Sequence, residues 1–290
     1  MKNLLLATRP KTLITGLSPL LISFGVLKNL NLEINYVLFS LTCLCVLLLQ
    51  VGTNLVNDYY DGIRGIDDDS RLGPQRFTAS NIIKPETIRK FFRIVFILAF
   101  AIGIYISIHS SIYVFLLGLT SLVVAYAYTG GPFPLSYFRL GEFLAFIFFG
   151  PVAVIGSYLI QNEQIPNILI ILSCGTGTFS SLLMFLNNYR DIETDTASGK
   201  KTVPNFIGPQ NTKSIMMVLS FLPLIISLGL GYFYNIKTLY LTLFMTPLIY
   251  KFLKFIKNTS PGPELNNGLL QISLLNLSWC LINCVGLCLI

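Results

Sequence analysis

Charge is what this sequence has least of. Of its 290 residues, 11% are Asp, Glu, Lys or Arg, less than half the roughly 25% of a typical soluble domain. A chain so poor in charge cannot cover a water-facing surface. That excludes an ordinary cytosolic enzyme, a disordered segment and a charged surface-binding module. Histidine is nearly absent too. His109 is the only one, so a metal site built from several imidazoles is excluded. Cysteine supplies no framework either. Cys43, Cys45, Cys174, Cys280, Cys284 and Cys288 all lie in apolar stretches with no CxxC pair, and they read as small packing residues.

What is abundant is apolar length, with 53% of the residues hydrophobic. Nine apolar segments stand out, at about 12–28, 34–57, 91–109, 112–130, 139–161, 165–187, 213–233, 236–256 and 268–290. Each is long enough for a helix, whereas barrel strands would be shorter and would alternate. The expected fold is therefore an all-α integral membrane protein, a single transmembrane domain over 1–290 with about nine spans. The opening MKNLLLATRPKT lacks a small-x-small cleavage pattern and more spans follow, so it reads as a first helix rather than a cleaved signal.

The net charge of +7 does not point to nucleic acid, because the basic residues sit in short connections between spans. Eighteen of the 20 Lys and Arg residues fall on one side, with Lys28 and Lys237 opposite. The positive-inside rule then puts the N-terminus and the two long connections, 58–90 and 188–212, in the cytoplasm.

The seven aspartates are the most informative residues. Asp58, Asp61, Asp67, Asp68, Asp69, Asp191 and Asp195 all lie in those two connections or at the helix ends that feed them. The first segment reads QVGTNLVNDYYDGIRG, in which Gln50, Asn54, Asn57/Asp58 and Asp61 step by three and four residues along one helix face. The second reads NNYRDIETDTASGKKTVP and aligns with the first at an offset of 130. Asn57 then falls on Asn187, Asp61 on Asp191, Arg71 on Lys201 and Pro74 on Pro204. Four spans separate the copies, so both NxxxD motifs face the same side. This is the signature of a parallel internal repeat with two carboxylate faces meeting across a cavity.

Facing carboxylates repel, and a polar cluster at a membrane edge is costly. A divalent cation relieves both. Mg²⁺ takes oxygen ligands, usually one or two carboxylates, and fills its other positions with water and phosphate oxygens. Lys and Arg nearby can hold the outer phosphate oxygens. Two aspartate sites, basic loops and an apolar bundle thus describe a receptor for a diphosphate on a hydrophobic tail. A cation-coupled transporter is the competing class, but it predicts ionisable groups near mid-bilayer and often opposed repeats.

At these residues the sequence resembles the UbiA superfamily of intramembrane aromatic prenyltransferases, and within it the 1,4-dihydroxy-2-naphthoate polyprenyltransferases. The resemblance runs through RPKTL (Arg9 to Leu13), NDYYD (Asn57 to Asp61), RLGPQR (Arg71 to Arg76), YTGGPFPLSY (Tyr128 to Tyr137), LGE (Leu140 to Glu142), NNYRDIETD (Asn187 to Asp195) and SGKKT (Ser198 to Thr202). It implies a nine-helix bundle around a lipid-open cavity. It also implies a Mg²⁺-dependent reaction of a polyprenyl diphosphate with a dihydroxynaphthoate, releasing CO₂ and diphosphate and giving demethylmenaquinol. Asn57, Asp61, Asp191 and Asp195 match the family's catalytic magnesium-diphosphate positions, and Asp58 is a further motif position among the metal candidates. Arg71, Arg76, Lys200 and Lys201 are diphosphate contacts by position and charge. Where the wider superfamily often has NDxxDxxxD, this sequence has Gly65 at the last position, which argues against a 4-hydroxybenzoate enzyme. The YxxxK motif of other branches is absent around Tyr126 and Tyr128, leaving Arg139 as the cation candidate there. The acceptor stays open among 1,4-dihydroxy-2-naphthoate, its 6-naphthoate isomer and homogentisate-like rings. The implied setting is a bacterial inner membrane, with no obligate protein partner. Glu142 either orients a substrate or caps its span, and Gly130-Gly131-Pro132 reads as a helix-ending turn.

Overall fold

The computed structural model describes residues 2–65, 72–73, 76–80 and 82–289, without the side chains of Lys2 and Lys11. The chain is a bundle of α-helices: α1 Lys2–Ala7, α2 Pro10–Asn29, α3 Tyr36–Ile63, α4 Pro85–Ile108, α5 Ile112–Ala127, α6 Gly141–Ile147, α7 Ala153–Leu159, α8 Asn167–Arg190, α9 Ile192–Ala197, α10 Val203–Phe233, α11 Thr246–Asn258 and α12 Leu265–Cys288. A π-helical turn, Phe148–Val152, joins α6 to α7 as one span, and a 3₁₀ stretch, Lys237–Met245, leads into α11.

Among the described residues, eight helical stretches are long and apolar enough to cross a membrane, where the sequence led one to expect about nine. The remaining segment forms α5, which has only 16 residues. At 1.5 Å per residue it reaches about 24 Å, short of the roughly 30 Å of hydrocarbon. The second long connection also differs from the expectation. The stretch 188–212 is largely helical, because the end of α8, all of α9 and the start of α10 occupy it, and α10 breaks at Gly208 (φ 81°) before Pro209 restarts it.

Helix starts follow the local chemistry. Asn35 accepts hydrogen bonds from the amides of Val37 and Leu38, each at 3.1 Å, and so caps α3. Ser111 caps α5 and Thr202 caps α10 in the same way. Lipid offers no hydrophobic drive between helices, so close contacts rely on small residues. A Cβ on Gly150 would lie 2.7 Å from the Cα of Gly177, and one on Gly25 would lie 2.8 Å from the Cα of Cys284. Those two contacts bring the π-turn against α8 and α2 against α12. The Cys280, Cys284 and Cys288 series accordingly sits on a packed helix as free thiols.

Two apolar cores result. The larger centres on α8, α10 and α12, with Trp279, Phe179 and Phe252 buried in it. The smaller joins α1, α3 and α4 through Ala7, Leu55, Val56, Phe92 and Phe96. Each core carries one aspartate motif at the end of a long helix.

Candidate active site

The first motif sits where α3 outruns the membrane. Its 28 residues extend about 42 Å, roughly 12 Å beyond the hydrocarbon thickness, so the NDYYD turns project from the apolar layer. Asn57 and Asp61 lie one turn apart on one face. The Asp61 carboxylate is paired with Arg76 at 2.5 Å, and both side chains are largely buried. The Asn57 Oδ1 accepts a hydrogen bond from the Thr129 hydroxyl. Asn54 points to α1 and α2 instead, donating to the Thr8 carbonyl and the Thr12 hydroxyl.

Asp58 is placed otherwise than a metal ligand would be. Its carboxylate is 1% exposed and accepts the backbone N–H groups of Phe77 at 3.0 Å and Thr78 at 2.9 Å. One residue along a helix turns the side chain by about 100°, so it leaves the Asn57–Asp61 face and anchors the connection to α4. Arg71, Asp67, Asp68 and Asp69 lie outside the described residues.

The second motif closes α8. The Arg190 guanidinium, 1% exposed, forks onto Asp191 at 2.7 and 2.5 Å and reaches Asn187 Oδ1 at 3.0 Å. Asp195 follows on α9 and is held by Lys200 at 3.1 Å. Burial pushes the Asp195 carboxyl above its ordinary range, and the Lys200 charge draws it partly back. Lys201 has an exposed side chain and contributes its backbone, since its carbonyl accepts the Arg139 N–H at 3.0 Å in a short parallel bridge to Phe138.

Three contacts bring the two motifs to one space. The Asn266 amide on α12 donates to the Leu72 carbonyl at 2.9 Å, while its oxygen accepts from Arg190 at 2.8 Å, joining the first connection to the second motif. The Phe138–Lys201 bridge ties the 128–140 connection to the second motif. Arg64 ties that connection to the first, donating to the carbonyls of Thr129 at 2.7 Å and Gly131 at 2.6 Å while lying over the Tyr60 ring. Gly131 takes a positive φ of 77° in this turn, as the helix-ending reading of the glycine pair requires.

Tyr128 stands between the motifs. Burial raises its hydroxyl above the ordinary phenol range, and the negative charges of Glu142, Asp195 and Asp61 act on it together. Glu142 lies in the first turn of α6. It is buried and accepts from Asn188 at 2.8 Å. Arg139, the cation expected to assist from this connection, stacks on the Phe206 ring at 4.4 Å.

The structure therefore pairs Asp61 with Arg76, Asp191 with Arg190 and Asp195 with Lys200, ties Asn57 to Thr129, and turns Asp58 to the backbone of Phe77 and Thr78. It adds Arg190, Arg64, Thr129, Tyr128 and Asn266. Arg190 had a sequence signal, a cation beside an aspartate at a helix end. Asn266 had none, because its partners are 76 and 194 residues away. Among the described residues, no three His, Cys, Asp or Glu side chains gather closely enough to hold a metal unaided. The donors present are carboxylate and amide oxygens, hard ligands that suit Mg²⁺ when phosphate oxygens complete its sphere.

A family model described as the UbiA prenyltransferase family matches residues 16–283. The chain is 29% identical to the 1,4-dihydroxy-2-naphthoate octaprenyltransferase of Mycobacterium leprae, over 93% of this chain and 91% of that one. It is 32% identical to the Bacillus subtilis protein of the same name, over 72% and 67%. Among solved structures, a UbiA homolog from Archaeoglobus fulgidus superposes with a TM-score of 0.67 at 15% identity, over 98% of both chains. The same homolog bound to DMAPP and Mg²⁺ gives 0.63 at 17% identity, over 97% of this chain and 99% of that one. The chain belongs to the UbiA prenyltransferase family and is a multi-pass membrane enzyme that transfers prenyl groups.

Proposed function

As a member of the UbiA prenyltransferase family, we propose, this chain transfers a polyprenyl group from a polyprenyl diphosphate to 1,4-dihydroxy-2-naphthoate. Diphosphate and CO₂ leave, demethylmenaquinol forms and the reaction requires Mg²⁺. The observation that carries this reading is that each aspartate of the two NxxxD motifs is paired with a cation at the end of a long helix of an apolar bundle, Asp61 with Arg76, Asp191 with Arg190 and Asp195 with Lys200. The bacterial relatives named for this acceptor support its identity. They also support a bacterial cytoplasmic membrane, with the basic face and the N-terminus inside.

Asn57 and Asp61 on one side, and Asp191 and Asp195 on the other, would hold the Mg²⁺-diphosphate. The metal would supply Lewis-acid stabilisation of the departing diphosphate. Arg76 and Lys200 add positive charge beside two of those carboxylates, where the allylic C–O bond breaks and its electron pair passes to the diphosphate. Tyr128 offers a hydroxyl at the centre, held protonated by its buried, negatively charged surroundings. Its phenol donates to Met184 Sδ at 3.3 Å and would be turned to a phosphate oxygen when diphosphate is bound. Arg64 and Thr129 keep the 128–140 connection over the site and restrict water, which would otherwise capture the allylic cation. The ring carbon bearing the carboxylate forms the new C–C bond, and the C–CO₂ bond breaks to restore the aromatic ring.

Purified protein given Mg²⁺, a polyprenyl diphosphate and carboxyl-labelled 1,4-dihydroxy-2-naphthoate should release label and form the prenylated lipid. EDTA should stop both. Product from another aromatic acid, with none from this one, would move the acceptor. No transfer to any acceptor from folded protein would overturn the reading.

A further inference from the structure

A second feature lies on the opposite side of α3 from the carboxylates. It is a groove of about 430 Å³ between α3, α4 and α5. Its floor includes Tyr59 and Tyr60 with Phe92, its far wall includes Tyr126, and Arg89 and Arg93 stand at its mouth. Successive helix residues turn by about 100°, so Tyr59 points about 160° away from Asp61, and the groove opens away from the carboxylate face.

The mouth has the chemistry of an anion site. Arg89 and Arg93 are one turn apart on α4, both exposed, and neither has an ion-pair partner among the described residues. Lys84 and Lys90 flank them, against Glu86 as the acid of that stretch. The Arg93 charge acts on the Tyr126 hydroxyl, which is hydrogen-bonded to Tyr60 at 2.5 Å. Below the arginines the same side of α4 is apolar and open, with Ile97 66%, Phe100 42% and Ile104 37% exposed. From Arg93 to Ile104 is eleven residues, about 16 Å of helix, which matches half of the roughly 30 Å hydrocarbon layer.

We infer that this groove binds an anionic phospholipid of the leaflet on the basic face. Its phosphate sits on Arg89 and Arg93 beside the Tyr126 hydroxyl, and one acyl chain runs along Ile97, Phe100 and Ile104. Arginine suits a phosphate because its planar fork can donate two hydrogen bonds, and basic groups at a membrane edge are drawn to anionic lipid. The occupant would steady the first motif. Tyr60 belongs to the motif helix, Arg64 lies over its ring and holds Thr129, and Thr129 bonds Asn57. Bound anionic lipid therefore raises the rate of prenyl transfer.

The test compares wild type with the Arg89→Gln/Arg93→Gln double variant in nanodiscs of phosphatidylcholine, with and without phosphatidylglycerol. Native mass spectrometry should find wild type retaining at least one more phosphatidylglycerol than the double variant. Inorganic diphosphate should not displace it. Phosphatidylglycerol should raise wild-type prenyl transfer several-fold, while the variant keeps its rate in phosphatidylcholine and does not respond. Equal retention by both proteins, equal retention of phosphatidylcholine, or displacement by diphosphate would each overturn the site. Only the rate arm rests on the proposed reaction. The retention arm needs no turnover, so the two readings fail separately.

Discussion

The two aspartate motifs keep the same NxxxD spacing and support it in different ways. In the first, Asp61 takes its cation from Arg76, fifteen residues on. In the second, Asp191 is gripped by the adjacent Arg190, and Asp195 by Lys200 five residues later. At the offset of 130, Tyr60 corresponds to Arg190, Asp58 to Asn188, and Gly65 to Asp195. Asp58 fastens the first connection to the helix end, and Asn188 binds Glu142 inside the second half. Gly65, with a φ of 65°, ends the first helix where the second half places a further carboxylate. The repeat thus preserves the NxxxD face and varies the residues behind it. The first motif depends on a long connection, whereas the second is packed into the larger core.

That difference orders the expected effects. Asp61→Asn and Asp191→Asn should each lower prenyl transfer by about a thousandfold, the scale for removing a group that stabilises developing charge. A loss confined to one of them would break the symmetry of the two faces. Arg190→Met should also unfold the second half readily. Removing one partner of a buried pair costs about 3 kcal/mol or more, so thermal unfolding in detergent should come at clearly lower temperature than for wild type. Asp58→Ala removes a charged acceptor of two backbone N–H groups. It should cost about 2 kcal/mol of stability while leaving the affinity for Mg²⁺ and diphosphate close to wild type. Asn266→Ala should raise the KM for polyprenyl diphosphate by about tenfold, the equivalent of about 1.4 kcal/mol, with thermal stability little changed.

The smallest effect is on pH dependence. Lys200 draws the Asp195 pKa down against the upward push of burial. Without that cation the carboxyl rises further and holds its proton to a higher pH. Lys200→Gln should therefore move the acid limb of the activity profile upward. A limb that stayed in place would separate Lys200 from the second face.

Much of this was legible in the sequence because membrane burial imposes long apolar runs and confines charge to their ends. The helical spans and the NxxxD faces follow from apolar run length and helical periodicity. The bonding of Asp58 to the Phe77 and Thr78 amides was not legible, because its partners lie 19 and 20 residues along the chain, while a one-residue step rotates it off the Asn57–Asp61 face. The length of α5 and the helical content of 188–212 were missed, since turns at Gly131 and Gly208 set those ends rather than hydropathy. Asn266 and Arg64 could not be read at all. Their roles are hydrogen bonds to backbone carbonyls of distant segments, and no local pattern marks such partners.

The most direct test of a single site built from both motifs is the binding of a non-hydrolysable thio-analogue of a prenyl diphosphate with Mg²⁺, measured calorimetrically. Wild type should bind one analogue only when Mg²⁺ is present, and Asp61→Asn and Asp191→Asn, each shown to be folded, should each abolish that binding. Wild-type affinity in either variant would contradict a site that needs both faces.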